Sequence, residues 1–256
     1  MDFIGDVGLW QRRVAECPEG IARRIAVIEA LQPRKGWRVL DVGCGGGHLV
    51  REMARAVGGC GEAVGVDMSA EMLKAAGRLC ADAPNASVHV ADVAGLPMPA
   101  DTFDAISSIQ TLEYVADVDG ALGEIRRVAR VGARAAFVSV LWDTFRHHGP
   151  EAVLNDRILD AWRAHCPHQM LPAEMPARLG EAGFDGAVQR PLTIFNASFH
   201  ENCYSFWAAK VMANFAVAQG VDLEDAQRWL EQLEAADRDG RFCFVSVPVL
   251  TTCVAV

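Results

Sequence analysis

Apolar positions along the chain switch repeatedly between a helical and a strand period. Residues 1–32 read as helical, with Ile21, Ile25, Val27, Ile28 and Leu31 on one face. A strand over 37–42 ends in a run of glycines, and a helix follows over 48–57. A short strand over 63–66 stops at Asp67, and Ser69 is placed to cap the next helix, with Glu71 in its first turn. Met72, Leu73, Ala76, Leu79 and Cys80 share a face of that helix. Strands over 87–90 and 103–109 flank Asp92, and Leu122, Ile125, Val128 and Ala129 then recur at helical spacing. The fifth strand, 135–141, is a near-continuous apolar run, as expected of a parallel strand buried on both faces.

Strands that alternate with helices predict βαβ units: an α/β, Rossmann-like, open and mostly parallel sheet with helices on both faces. The last hundred residues depart from this rhythm. Helices are expected over 151–165 and 173–183, a sixth strand over 187–195, a long helical segment over 200–236, and a seventh strand over 242–254. The chain is therefore expected to form a single domain, 1–256, carrying helical cap elements at about 142–172 and 196–240. Ligands bind beyond the carboxyl ends of the strands in such sheets, where a helical cap would shape a substrate pocket. The other reading is that these helices pack elsewhere or form the contact of a homodimer.

Composition narrows the function classes. Hydrophobic residues make up 51% and charged residues 22% of 256 positions, an ordinary globular balance. The net charge of −9 repels a phosphate backbone, so nucleic acid is not the expected partner. No apolar run reaches membrane-span length, and the N-terminus, with Asp2 and Asp6, lacks the pattern of a signal peptide. Eight scattered cysteines form neither a C-x-x-C nor a zinc spacing, which predicts reduced thiols, a cytoplasmic protein and no metal site.

The chemistry concentrates at Val39-Leu-Asp-Val-Gly-Cys-Gly-Gly-Gly-His48. Gly43, Cys44, Gly45, Gly46 and Gly47 turn the first strand into a helix and admit a ligand close to the backbone. Nicotinamide enzymes use such a loop too, but the third glycine of their G-x-G-x-x-G would fall on His48. Asp41 stands just before the loop, where it would repel a pyrophosphate by about 1–4 kcal/mol at near contact. S-adenosylmethionine carries an ammonium and a sulfonium and no phosphate, so the acid favours it. Asp67 ends the second strand, where a carboxylate accepts from both ribose hydroxyls of a nucleoside. Met68 beside it can pack on adenine. Asp92 can accept from the adenine amino group while the Val93 backbone donates to the ring, although an isolated Asp after a strand is commonly a turn residue.

The ordered series Val39-Leu-Asp-Val-Gly-Cys-Gly-Gly-Gly, Gly65-Val-Asp-Met-Ser, Ala91-Asp-Val, Phe103-Asp-Ala-Ile-Ser-Ser and Gln110-Thr-Leu-Glu-Tyr-Val-Ala-Asp closely resembles the class I S-adenosylmethionine-dependent methyltransferases. Within them it looks most like the ubiquinone/menaquinone-biosynthesis-type (methyltransferase domain 11-like) branch, over about residues 20–141. The resemblance implies a seven-stranded sheet whose last strand is antiparallel. It implies that Gly43 and Gly45 face the methionine part of the donor, that Asp67 holds the ribose, and that Asp92 and Val93 hold the adenine. Gln110 would offer its backbone near the methionine ammonium. Arg130-Val-Gly-Ala-Arg replaces the Pro-Gly-Gly turn usual in the family.

The expected activity is methyl transfer to a small-molecule acceptor, with secondary metabolism as the setting. Its rivals are a nicotinamide-dependent oxidoreductase and a non-catalytic S-adenosylmethionine-binding protein on the same fold. Alignment and exclusion of water supply most of the rate of such an in-line displacement. A base is needed only for a protonated acceptor, and the candidates are Tyr114, His147, His148 and His200, with His48 flanking the donor loop. Trp142, Asn196 and Tyr204 are candidates to line the acceptor pocket, with Phe206 and Trp207 nearby in sequence.

Overall fold

The computed structural model describes residues 7–256; the first six positions of the expected N-terminal helix, with Asp2 and Asp6, lie outside the described residues. The rest of that helix is two helices, α1 (Val7–Glu16) and α2 (Pro18–Leu31). Pro18 opens α2, where its missing N–H would have had no intrahelical partner. There follow β1 (Arg38–Val42), α3 (His48–Val57), β2 (Glu62–Asp67), α4 (Ala70–Leu79), β3 (Ala86–Val90), β4 (Phe103–Ile109), α5 (Val118–Val128) and β5 (Ala129–His148). The chain continues through α6 (Ala152–Trp162), α7 (Leu171–Glu181), β6 (Phe184–Pro191), β7 (Ile194–Asn196), α8 (Tyr204–Ala218), α9 (Leu223–Arg238) and β8 (Cys243–Ala255).

The strands form one sheet in the order β3-β2-β1-β4-β5-β8-β6, with β7 paired to β8 beside this path. β1 pairs in parallel with β2 and β4, as do β2 with β3 and β4 with β5, whereas β8 runs antiparallel to β6 and β7. This is the α/β Rossmann-like sheet with its antiparallel last strand. Among the described residues it holds eight strands rather than seven, because the expected sixth strand is two. Pro191 has no N–H to continue the ladder, and Leu192 instead donates to Pro248 O at 2.7 Å before β7 resumes pairing. The expected helix over 200–236 is likewise two helices, broken at Gly220 with φ of 93°.

β5 is the largest departure, at 20 residues against the seven expected. Its middle is apolar on both faces, as read from the sequence. Beyond Leu141 it continues with Phe145 and His147 buried and Asp143 and His148 exposed, the alternation of a half-covered strand. The unusual turn before it is part of the strand itself: Gly132 takes φ of 82° where the pairing with β4 shifts register. Arg130 there pairs with Asp104 at 2.5 Å.

The chain divides into two compact units, each assembled from separate stretches. The sheet unit comprises Arg24–Val140, Met170–Pro191 and Val249–Val256. Its core gathers Leu40, Phe103, Ile106 and Phe137 from the strands with Leu122 and Ile125 of α5 and Leu171, Met175 and Leu179 of α7. The helical unit comprises the N-terminal stretch through Arg23, Leu141–Gln169 and Leu192–Pro248. Its core centres on Trp229, wholly buried, whose indole N–H donates to Asn155 Oδ1 at 2.9 Å. α8 contributes an alanine-rich face, Ala208, Ala209, Ala213 and Ala216, with Met212 among them.

Candidate functional site

The glycine loop is built on the carboxyl ends of β1 and β2. The N–H groups of Gly43 and Cys44 both donate to Val66 O, at 2.8 and 2.9 Å. The chain then passes through Gly43, Gly45 and Gly47 with φ of 72°, 49° and 80° and enters α3 at His48. These angles favour glycine, and space demands it as well. A Cβ on Gly43 would stand 2.0 Å from Thr111 Oγ1, and one on Gly47 would stand 2.8 Å from Ala76 Cβ. Cys44 is buried, and burial, with Asp41 and Asp67 nearby, pushes its thiol far up from its ordinary value.

Two carboxylates face this loop from neighbouring strands. Asp67, at the end of β2, accepts from Gly45 N through Oδ2 and from Ser69 N through Oδ1, both at 2.9 Å. Ser69 in turn caps α4 by accepting from Met72 N at 3.3 Å. The Asp67 carboxylate is thereby fixed between the glycine loop and the start of α4, and it is partly exposed. Asp41 is buried, with 3% of its surface exposed, and accepts from Ser107 Oγ at 2.8 Å. Its carboxyl is pushed up to about 7, chiefly by burial, with Asp67 and Glu52 adding to the rise and Ser107 and Arg24 opposing it.

The other predicted donor contacts fall on the same edge. Met68 is exposed beside Asp67. Ala91 N donates to Asp67 O at 3.2 Å, and Asp92 follows it, exposed, accepting from Ala94 N at 2.9 Å as the cap of a short 3-10 turn over Val93–Gly95. The Asp92 carboxylate is thus a turn former whose outer face remains open, while the Val93 side chain is buried. Gln110, just after β4, has φ of 51°, a left-handed conformation that disfavours a side chain, and its N–H donates to Val138 O at 2.7 Å. The next residue, Thr111, is the one that closes on Gly43. Tyr114 is about half exposed at the end of the 3-10 turn over Leu112–Tyr114. Asp41, the loop glycines, Asp67 and Gln110 therefore converge. Sequence reasoning missed Ser107 and Thr111, which reach Asp41 and Gly43 from β4 and the residue pair just after it.

The remaining predicted residues lie in the helical unit. His147 and His148 sit at the end of β5, not in a loop after it, and the alternation of the strand separates their fates. His148 is exposed. His147 is wholly buried between Phe244 and Trp229, ring centroids 4.5 and 5.3 Å away, and its Nε2–H donates to Ser205 O at 3.0 Å. Burial lowers its pKa to about 4, so it is a neutral packing residue at ordinary pH. Asn196 is also buried; its amide donates to Glu19 Oε1 and its carbonyl accepts from Ser205 N at 3.0 Å, which caps α8. Tyr204, the first residue of α8, is buried under the Arg23 guanidinium, 5.1 Å from the ring centroid. Trp142 packs edge-on to His165 at 4.2 Å. His200 is exposed, with Nε2 3.3 Å from Cys203 Sγ. Trp162 and His165, stacked at 4.0 Å, were not singled out in the sequence, although their spacing of three on a helical segment places them on one face. Among the described residues, no group of three or more His, Cys, Asp or Glu side chains is arranged to hold a metal ion.

Residues 39–132 match the model of a methyltransferase domain family. The chain is 30% identical over 188 residues to the ubiquinone/menaquinone biosynthesis C-methyltransferase UbiE of Pseudomonas paraeruginosa, covering 65% of this chain and 72% of the relative. It is 30% identical over 156 residues to the aklanonic acid methyltransferase DauC of a Streptomyces species, covering 59% and 70%. The chain belongs to the class I S-adenosylmethionine-dependent methyltransferases. Its likeness is to the ubiquinone/menaquinone type of this methyltransferase family. The fold agrees: the YcgJ protein of Bacillus subtilis superposes with a TM-score of 0.62 at 21% identity, covering 92% of this chain and 98% of that one. Against several other curated relatives, including 2-phytyl-1,4-naphtoquinone methyltransferases, the chain spans about half their length or less, from 39% to 48%. No helix among the described residues is long and apolar enough to cross a membrane.

Proposed function

We propose that this chain transfers the methyl group of S-adenosylmethionine to a small organic acceptor. The observation that carries the reading is the Asp67 carboxylate, locked by Gly45 N and Ser69 N at the open edge of the glycine loop. A carboxylate so fixed retains lone pairs for two ribose hydroxyls without reorganising. The acids suit a donor that carries an ammonium and a sulfonium and disfavour a pyrophosphate. On this reading Gly43, Cys44 and Gly45 face the methionine part, with Asp41 behind them, and the Gln110 backbone lies near the ammonium. Met68, Asp92 and Val93 surround the adenine.

In the reaction the S–CH3 bond breaks as the bond from the acceptor atom to the methyl forms. The bonding pair stays on sulfur, which becomes a neutral thioether, and an acceptor that arrives protonated gives its proton to a base or to water. Tyr114, half exposed on the sheet unit, is our candidate for that base. We assign acceptor selection to the helical elements 142–172 and 196–240, acting as a cap in one catalytic domain. Trp142, Asn196 and Tyr204 serve there as supports of its packing, and His148 and His200 as its exposed imidazoles. UbiE is named for ubiquinone/menaquinone biosynthesis and DauC for aklanonic acid methylation, so an aromatic ring carrying hydroxyl groups, such as a reduced quinone, is the acceptor class to try first. The net charge of −9 argues for a small acceptor over nucleic acid. Eight free thiols suit a reducing compartment, which supports a cytoplasmic setting.

The test is incubation with methyl-labelled S-adenosylmethionine and a panel of hydroquinones and polyphenolic acids, followed by mass spectrometry. Stoichiometric label in one acceptor, matched by S-adenosylhomocysteine, is the expected result. Binding of S-adenosylhomocysteine with no transfer to any acceptor in the panel or in a small-molecule extract would overturn the enzymatic reading.

A further inference from the structure

Asp41 differs from the other carboxylates of the site in having almost no access to water. Its neighbours across the sheet are Gly65 on β2 and Ser107 on β4. Gly65 leaves room that is filled from α3 and the loop: a Cβ there would stand 2.7 Å from Val50 Cγ2 and 2.8 Å from Cys44 Sγ. On the other side Ser107 Oγ gives Asp41 its hydrogen bond, with Met53 Sδ of α3 3.9 Å from that hydroxyl. The charged groups that bear on Asp41 are Asp67 from β2, Glu52 from α3 and Arg24 from α2, together with the Cys44 thiol. Arg24 favours the carboxylate, but it is itself ion-paired with Glu52 at 2.9 Å. The balance leaves the carboxyl poised near neutrality, at about 7.

Two acids therefore converge on one loop, and only Asp67 is held by backbone N–H groups. A second negative charge beside it is unfavourable until a cation arrives. We infer that Asp41 and Ser107 form a proton-exchanging pair by which the site distinguishes the cationic methyl donor from its product: donor binding ionises Asp41 and expels a proton, and loss of the sulfonium charge lets the proton return. This rests on the reading that the site holds S-adenosylmethionine. S-adenosylhomocysteine has the same ammonium and carboxylate but a neutral sulfur, so it supplies less of the field that keeps Asp41 ionised. Product release is thereby favoured over donor release, most strongly on the alkaline side of neutrality, where Asp41 is ionised before either ligand binds. Ser107 is a positioning residue in this scheme, since its hydroxyl stabilises the charged form.

Isothermal titration calorimetry at pH 7, in two buffers of different ionisation enthalpy, reads the proton directly. S-adenosylmethionine should release about half a proton per site, and S-adenosylhomocysteine clearly less. The donor should bind about five- to tenfold more weakly at pH 6 than at pH 8, with a smaller change for the product. The sulfonium makes the donor's ammonium more acidic than the product's, so the protonation of each free ligand is titrated separately and subtracted before the two are compared. Asp41→Asn should abolish the difference in proton release. Ser107→Ala, which keeps the acid, should move the midpoint of donor binding to higher pH, and it carries the test if the Asn variant does not fold. Equal proton release by the two ligands, or a Ser107→Ala midpoint that stays where it was, would overturn the inference. Failure of both ligands to bind the unaltered protein would instead sink the donor reading on which it rests.

Discussion

Gly43 shows how much of the site depends on single residues. It combines a φ of 72° with a position where a Cβ would overlap the Thr111 side chain. Gly43→Ala therefore pays twice, with about 1 kcal/mol for the left-handed backbone and more for the displacement of Thr111. Thermal unfolding should show a loss of about 2–3 kcal/mol, and calorimetry a loss of donor affinity of tenfold or more. Thr111→Gly on that background clears the overlap and should restore part of the stability but not the strained backbone term. No recovery in the double variant would mean that the contact with Thr111 is not what makes the glycine necessary. At this scale the sequence was readable wherever chemistry is local. The glycines, Asp41, Asp67 and Asp92 lie in short runs whose spacing announces a turn after a strand. Ser107 and Thr111 carry no such mark, because their roles arise from the registry of β1 with β4, 66 residues away for Asp41 and Ser107.

Elements reveal a different kind of error. β5 was expected to stop at Leu141, where its continuous apolar run ends, yet it extends to His148. The continuation alternates instead, and a histidine occupies one of its inward positions. An imidazole beside its twin in sequence looks like surface, and only the alternation tells that His147 turns inward while His148 does not. The physical consequence can be measured. The folded pKa of about 4 lies below the ordinary value of 6.5, so the unfolded chain binds this proton more readily than the folded one does. His147 therefore costs nothing above about pH 6.5 and weakens the fold progressively as the pH falls from there to about 4. The full effect is about 3 kcal/mol, for a group with no exposed surface. His165 is shifted in the same direction by burial and sharpens the same window. Urea unfolding followed by tryptophan fluorescence, at intervals from pH 7.5 to 4, should show stability falling with more than one proton taken up. In His147→Gln the number of protons taken up should drop by one. An unchanged proton count in that variant would place the acid sensitivity elsewhere.

At the scale of the whole molecule, the two units divide the proposed labour cleanly. Every residue assigned to the donor, from Asp41 to Gln110, belongs to the sheet unit, and Trp142, Asn196 and Tyr204 all belong to the helical one. Neither unit is a continuous stretch, since the chain crosses between them within α2, along β5, before α7, before β7 and within β8, so no single cut isolates one for study. Ligand-induced protection from hydrogen exchange can separate their roles without a cut. A ligand present at about a hundred times its dissociation constant stabilises the state it binds by about 2.7 kcal/mol, enough to slow exchange wherever opening would break the site. S-adenosylhomocysteine should thus protect the amides of Gly43–Gly47, the start of α4 and the turn after Asp92, with α6, α8 and α9 changing least. An acceptor identified by the labelling experiment should add protection within α8 and α9 on top of that pattern. The family motifs motivate the first half of this forecast, because the proposed donor contacts follow the strand ends that the sequence marks. The second half depends on helices whose apolar faces read only as helical, so the exchange pattern is what decides whether they recognise the acceptor. Protection by S-adenosylhomocysteine confined to α8 and α9, with the glycine loop exchanging as before, would reverse the assignment of the two units.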